Sequence, residues 1–307
     1  MSLRRMAWIT LGWSIVVVLG GAVVRATGSG AGCGRSWPTC HGTAVPELTG
    51  ATAIEFGHRM VSGVALLLVF GLGWRIFRGT PKGHPARLGG VLSMVAIVVE
   101  SLIGAMIVFY EWVADDASAA RVISVPLHLV NTLALLAALT FTVFWVSGGR
   151  RFERGSGRTV LYLIGAGMLA ISATGGVTAL ADTLFPKDGF TLGGMFTVQT
   201  SEHFLTNLRS IHPVVAIVIG FAAASWAFRR AWYGETAIAA RVVVGSVIVQ
   251  TALGFANVIT GTPLVLTLLH LLVADALWIG WVWICASRFQ AVPESSPVEG
   301  YDASVES

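Results

Sequence analysis

Four of the seven histidines in this 307-residue chain stand in or at long apolar runs: His58, His128, His212 and His270. Ionisable groups in such runs are uncommon and mark functional positions by default. Any one of them could equally be a histidine hydrogen-bonded inside a helix bundle. Four at matching places in two repeats make that far less apt. A pair of imidazoles at one depth in a bundle supplies the two axial ligands of a heme iron. A zinc or copper site wants three or four ligands close together, often with Cys or carboxylate. These histidines stand amid Gly, Leu and Val, which suits a large, flat, apolar cofactor. Gly57, Gly63, Gly104, Gly176 and Gly254 either leave room for a porphyrin or let helices pack closely. His41, His84 and His203 fall in loops and read as solvated.

Other reactive types lie near these four. Glu55 is one helical turn before His58, on the same face. It could move protons or position a water, or equally sit as an interfacial carboxylate favourable to the helix dipole. Arg25, Arg59, Arg121 and Arg209 lie near span ends, where they could pair with propionates bidentately or meet lipid headgroups. Glu100 and Asp275 lie within spans, where charge is costly. Cys33 and Cys40 share the loop Gly28-Ser-Gly-Ala-Gly-Cys-Gly-Arg-Ser-Trp-Pro-Thr-Cys-His-Gly42. A disulfide is expected if that loop faces an oxidising compartment. A metal site from Cys33, Cys40 and His41 lacks a fourth local ligand. Cys285 reads as a small buried hydrophobe.

The elements that must position these residues follow from composition. The chain is 55% hydrophobic and 12% charged, against about 25% charged in soluble domains, and its mean hydropathy is +0.76. Only a bilayer accommodates that much apolar sequence. Apolar runs predict an all-α integral membrane protein with eight spans, near 6–25, 54–74, 88–110, 122–146, 159–181, 207–228, 239–260 and 264–286. The first is too long for an ordinary signal-peptide core and reads as an uncleaved span. The net charge of +4 is no nucleic-acid signal, because the cations alternate with the spans. One set of segments holds Arg4, Arg5, Arg75, Arg78, Lys82, Arg87, Arg150, Arg151, Arg154, Arg158, Arg229, Arg230, Arg241 and Arg288, most of the chain's 20 basic residues. The other holds Glu47, Glu111, Asp115, Asp116, Asp182, Asp188 and Glu202. The positive-inside rule then places both termini in the cytoplasm, in a multi-pass inner (plasma) membrane protein. The polar stretch 289–307, with Pro293 and Pro297, reads as a disordered cytoplasmic tail.

The two halves repeat each other. Gly20-Gly21-Ala22-Val23-Val24 resembles Gly175-Gly176-Val177-Thr178-Ala179, and Glu100-Ser-Leu-Ile-Gly104 resembles Gln250-Thr-Ala-Leu-Gly254. His58 matches His212, and Leu127-His128-Leu129 matches Leu269-His270-Leu271. Four spans per copy give parallel repeats. The expected architecture is therefore two tandem, pseudo-symmetric four-helix bundles, 1–147 with an outer cysteine loop at 26–51, and 159–288, joined by a cytoplasmic linker at 148–158. The copies are unequal. Arg209 stands where the first has Glu55, and His58-Arg59 becomes His212-Pro213. One site then suits a permanent cofactor and the other a substrate.

The cysteine loop, Glu55-x-x-His58-Arg59, the three further span histidines, and Gln250-x-x-x-Gly254 followed by Pro263 and His270 together resemble the heme A synthase family, over residues 6 to 287. The resemblance implies two four-helix bundles and oxidation of the C8 methyl of heme O to a formyl, giving heme A for cytochrome oxidase. It implies that His212 and His270 ligate a heme b cofactor and that His58 and His128 hold the substrate heme O. It makes Glu55 the catalytic carboxylate and Cys33 and Cys40 the outer-loop pair. Some members carry a second cysteine pair between spans 5 and 6, whereas Asp182 to Thr206 holds none here. The partners implied are heme O synthase, the cytochrome oxidase assembly machinery, membrane lipid and an electron donor the sequence does not name; homo-oligomerisation is left open. The rivals are a diheme membrane cytochrome fed by quinol and a non-catalytic heme carrier.

Overall fold

The structure is a computed structural model, and it describes residues 1–153, 158–185, 205 and 209–290. Eight helices in it are long and apolar enough to cross a membrane. They are α1 (Leu3–Ala26), α2 (Gly50–Gly79), α3 (Ala86–Phe109), α4 (Ala119–Val146), α5 (Thr159–Leu184), α6 (Ile211–Ala231), α7 (Ala237–Thr260) and α8 (Leu264–Phe289). Among the described residues there are no strands, only two isolated bridges, Cys40 with Thr43 and Phe152 with Gln290. The protein is an all-α, multi-pass membrane protein. The tail beyond residue 290, most of the segment from Asp182 to Thr206 with its His203, and 154–157 of the expected linker lie outside the described residues.

Local signals set the helix ends. The Ser2 hydroxyl accepts from the Arg5 amide, and the Ser118 hydroxyl from the Arg121 amide, each at 3.3 Å, satisfying donors that a helix start leaves free. Gly261, at φ +73°, ends α7 in the left-handed region, where glycine carries no Cβ penalty. Helices overrun the apolar windows. The window at 54–74 locates where the chain is apolar, but α2 continues through Arg75, which donates to the Met1 carbonyl, and Arg78, which lies over the Trp74 ring. One boundary moves the other way. The apolar run starting at 207 places Arg209 inside a span, yet α6 begins at Ile211. Pro213 sits in the first turn, where a missing amide hydrogen costs nothing, and Arg209 precedes the helix.

The helices pack in two closed circuits. In the first, α1 packs on α2, α2 on α3, α3 on α4, and α4 returns to α1. In the second, α5 packs on α6, α6 on α7, α7 on α8, and α8 touches α5. The circuits meet where α4 lies against both α5 and α8, and α1 lies against α8. Accordingly α4 is the most buried span. Contacts that cross this seam include the following. The Trp278 indole donates to the Leu133 carbonyl at 2.8 Å. Arg25 donates to the Ala179 carbonyl at 2.7 Å and to the Thr183 hydroxyl at 2.6 Å. Gly176 lets α5 approach Pro126 and Leu129 of α4. At the opposite end, Phe152 packs on Phe141, Phe144, Trp145 and Phe289. The outward faces remain apolar, as Leu67 and Phe221, each 73% exposed, illustrate; lipid is their natural solvent.

Candidate functional site

Each intramembrane histidine lies against a glycine of the preceding helix. A Cβ on Gly20 or Gly21 of α1 would meet the His58 ring at 3.2 or 3.3 Å. One on Gly175 of α5 would meet the His212 ring at 3.0 Å. One on Gly104 of α3 would lie 3.7 Å from His128, and one on Gly254 of α7 3.5 Å from His270. The repeated glycines that mark the duplication are thus the surfaces on which the four imidazoles rest. Sequence reasoning had Gly20, Gly21 and Gly175 only as markers of the repeat, and read Gly57, Gly63, Gly104, Gly176 and Gly254 as making room for a porphyrin or for close helix packing. Gly57 and Gly63 face open space, Gly57 lining a cleft of about 320 Å³ beside His58, while Gly176 serves helix packing.

The His212 and His270 rings stand with centroids 6.5 Å apart and planes inclined at 73°. Two metal–imidazole bonds of about 2 Å each, plus the distance from nitrogen to ring centre, put such centroids about 6 Å apart across one axially ligated iron. In the first half, His58 rests on Gly20 and Gly21 and His128 on Gly104. All four imidazoles are half-buried. Nδ1 of His58, His128 and His270 is buried without a hydrogen-bond partner. Among the described residues no group of three or more His, Cys, Asp or Glu is gathered to hold a metal ion. Paired imidazoles cradled on bare glycine backbone therefore fit an iron whose equatorial ligands come from a porphyrin.

The pairs differ in how they are held. Nδ1 of His212 lies 3.2 Å from the Ile171 carbonyl and 3.3 Å from the Thr174 hydroxyl. By the glycine register, Val16 and Leu19 occupy those places in the first half, and His58 gains no such anchor. Conversely, His128 Nδ1 faces Glu100 Oε1 at 3.5 Å, while His270 has no carboxylate opposite because Gln250 stands in that place.

The cysteine loop, between α1 and α2, closes one end of the first circuit. Cys33 and Cys40 form the expected disulfide and are fully buried. Gly32 lies so close to α2 that a Cβ would fall 2.4 Å from the Ala51 backbone. The Gly32 carbonyl accepts from the Thr52 hydroxyl at 2.6 Å and lies 2.9 Å from His41 Nε2. Glu55, 3% exposed, accepts the Cys33 amide at 2.7 Å and pairs with Arg59 one turn on. Arg59 also donates to the Ser36 carbonyl at 2.6 Å and to the Thr39 carbonyl. Glu55 and Arg59 thus clamp the loop onto α2, a role the sequence did not indicate.

The other candidate arginines are also engaged. Arg25 reaches α5 as described, Arg121 donates to the Ala114 and Asp116 carbonyls, and Arg209 donates to the Ala181 and Phe185 carbonyls beside Asp182 at 3.0 Å. Arg121 Nε is buried without a hydrogen-bond partner. Asp275 is 1% exposed, and its Oδ2 has no hydrogen-bond partner. Cys285 is a buried free thiol.

The family model for cytochrome oxidase assembly proteins (COX15-CtaA) matches residues 4–53 and 47–282. The chain belongs to that family. It is 41% identical over 293 residues to a protoheme IX farnesyltransferase of Thermus thermophilus, a match covering 92% of this chain and 48% of that protein. It is 39% identical over 146 residues to a heme A synthase of Geobacillus thermodenitrificans, covering 46% of this chain and 44% of that one. A heme A synthase of Bacillus pumilus is 38% identical over 112 residues, 36% of each chain. The chain spans about half the length, or less, of these curated relatives. Two of these relatives are named for the reaction that the resemblance to the heme A synthase family implied.

Proposed function

We propose that the chain is a heme A synthase, a heme-dependent oxidoreductase that converts the C8 methyl of heme O to a formyl by successive hydroxylations. The observation that carries it is the pair of imidazoles resting on Cβ-less backbone in each half, with the His212–His270 spacing suited to one axially ligated iron. The relatives named heme A synthase support the same reaction.

The unequal anchoring of the histidines supports the division of labour. His212, held through Nδ1, and His270 would keep a resident heme b, which supplies one-electron redox chemistry. His58, whose Nδ1 has no protein partner, and His128 would take heme O as an exchanging substrate. Glu55 and Arg59 hold the disulfide loop over that first site and keep its outer end from opening to water. Glu55 is the candidate carboxylate for proton transfer at the substrate methyl. Arg25, which reaches across the seam between the halves, Arg121 and Arg209 are the candidate propionate contacts. The segments 1–147 and 159–288 are then a substrate bundle and a cofactor bundle. A protein named for farnesyl transfer to protoheme IX holds a region like this chain within about twice its length, so the partner that hands over heme O is expected to be such a transferase.

Expressing the chain in cells that make heme O, then extracting and identifying the hemes, tests this. Heme A is expected only when the chain is present. Glu55→Ala should abolish heme A while heme b remains bound. Normal heme A output from that variant would remove Glu55 from the chemistry. Heme b and heme O alone would favour an electron-carrying cytochrome or a carrier. New heme O in cells that otherwise make only heme b would point to transferase chemistry.

A further inference from the structure

Glu100 lies near the middle of α3, where a charged group is costly in a membrane. It is not left alone there. Its Oε2 accepts from the Asn131 amide at 2.5 Å, and its Oε1 accepts from the Thr132 hydroxyl. Thr132 also donates to the His128 carbonyl at 3.0 Å. Two donors on α4 therefore fix the carboxylate in place, and both follow His128 by one turn. His128 Nδ1, buried and without a hydrogen-bond partner, has Glu100 Oε1 opposite it at 3.5 Å. A small rotation of the imidazole closes that gap.

The second half lacks every part of this arrangement. Gln250 stands at the place of Glu100, and the residues matching Asn131 and Thr132 are Val273 and Ala274. The Gln250 Oε1 is buried without a hydrogen-bond partner. Loss of the carboxylate together with both of its donors separates this feature from general helix packing, because a glycine lies beneath both His128 and His270.

We propose that Glu100 is a positioning residue that orients the His128 imidazole toward the first-half heme and, by accepting from Nδ1–H, makes its Nε2 a stronger donor to iron than His270 is in the second half. A carboxylate behind a ligating histidine fixes its tautomer and raises its basicity. Hydrogen bonding around axial ligands is one of the levers on a heme's potential. A more basic imidazole favours ferric over ferrous iron, so the two hemes are made unequal, the first harder to reduce. The proposal rests on the heme assignment of the histidine pairs.

The test uses the purified full chain in detergent, loaded with hemin, with optical redox titration of both sites. His128→Ala identifies the first-half signal; if that variant takes up hemin like the wild type, the first-half heme site falls and the proposal with it. With that site established, Glu100→Gln keeps an oxygen for Thr132 and removes the charge. It should raise the first-half potential by a tenfold change in ferric-over-ferrous preference, about 59 mV for one electron, and leave the second unmoved. Gln250→Glu, the reciprocal change, should lower the second-half potential. Bound hemes with unmoved potentials in Glu100→Gln would overturn the assignment of Glu100 while leaving the heme sites intact. Should Glu100→Gln fail to fold, Gln250→Glu decides: an unmoved or raised second-half potential overturns the proposal.

Discussion

At the scale of the residue, each histidine is placed by what its neighbour lacks. Gly175 shows how tight this is. An added Cβ would sit 3.0 Å from His212 Cε1 and 3.3 Å from Nδ1, closer than packed side chains rest. The ring cannot swing away without leaving the Ile171 carbonyl and Thr174 hydroxyl that hold it. Gly254 differs, because its Cβ would lie 3.5 Å from His270, an ordinary contact. Alanine is the better helix former by about 1 kcal/mol, so neither substitution should harm its helix. Gly175→Ala should therefore cost about tenfold in retained heme with the fold intact, and Gly254→Ala should cost little. The heme-to-protein ratio after purification measures both, and equal retention in the two variants would contradict the cradle. The histidines themselves were plain in the sequence, since an imidazole in an apolar run has few reasons to be there. The glycine contacts were not, because they depend on which faces of two helices meet.

Among the elements, the cysteine loop and α2 are one unit. The disulfide closes the loop on itself, and the Glu55–Arg59 clamp and the close approach of Gly32 to Ala51 dock it on the helix. Closing a loop of this length contributes about 2–3 kcal/mol on a chain-entropy account. The clamp and the Gly32 contact do not need the sulfurs, since Glu55 takes the Cys33 backbone amide. Replacing both cysteines by serine should loosen the loop yet leave it docked. Gly32→Ala is expected to do more, because its Cβ would collide with backbone that cannot yield. Trypsin cleavage at the exposed Arg35 should follow the order wild type, serine double variant, Gly32→Ala, from slowest to fastest; the opposite order for the last two would assign the docking to the disulfide. The cysteines and Glu55-x-x-His58-Arg59 were legible because such combinations of types are rare. That Glu55 and Arg59 grip the loop was not, since bonds to backbone amides and carbonyls leave no pattern in side-chain identity. The packing of Phe152 against four aromatic rings escaped for a related reason: a lone aromatic among arginines carries no periodicity.

For the whole molecule, the arrangement follows from the bilayer and the duplication together. Even-numbered spans per copy make α2, α4, α6 and α8 cross in one direction, so all four histidines fall toward one face. The cysteine loop lies on that face, and the arginine-rich segments between α2 and α3 and between α4 and α5 lie on the other. If the positive-inside rule governs, the loop faces the oxidising side, where its disulfide is stable. The opposite orientation would put the loop in a reducing compartment and most of the cations outside, so two unrelated constraints favour one topology. Val45, 88% exposed in the loop, and Lys82, exposed between α2 and α3, report on it directly. With Cys285 replaced by serine and Cys33–Cys40 paired, Val45→Cys should react with a membrane-impermeant maleimide in intact cells, and Lys82→Cys only after permeabilisation. Labelling of Lys82→Cys in intact cells, with Val45→Cys protected, would invert the topology and place both histidine pairs toward the cytoplasm.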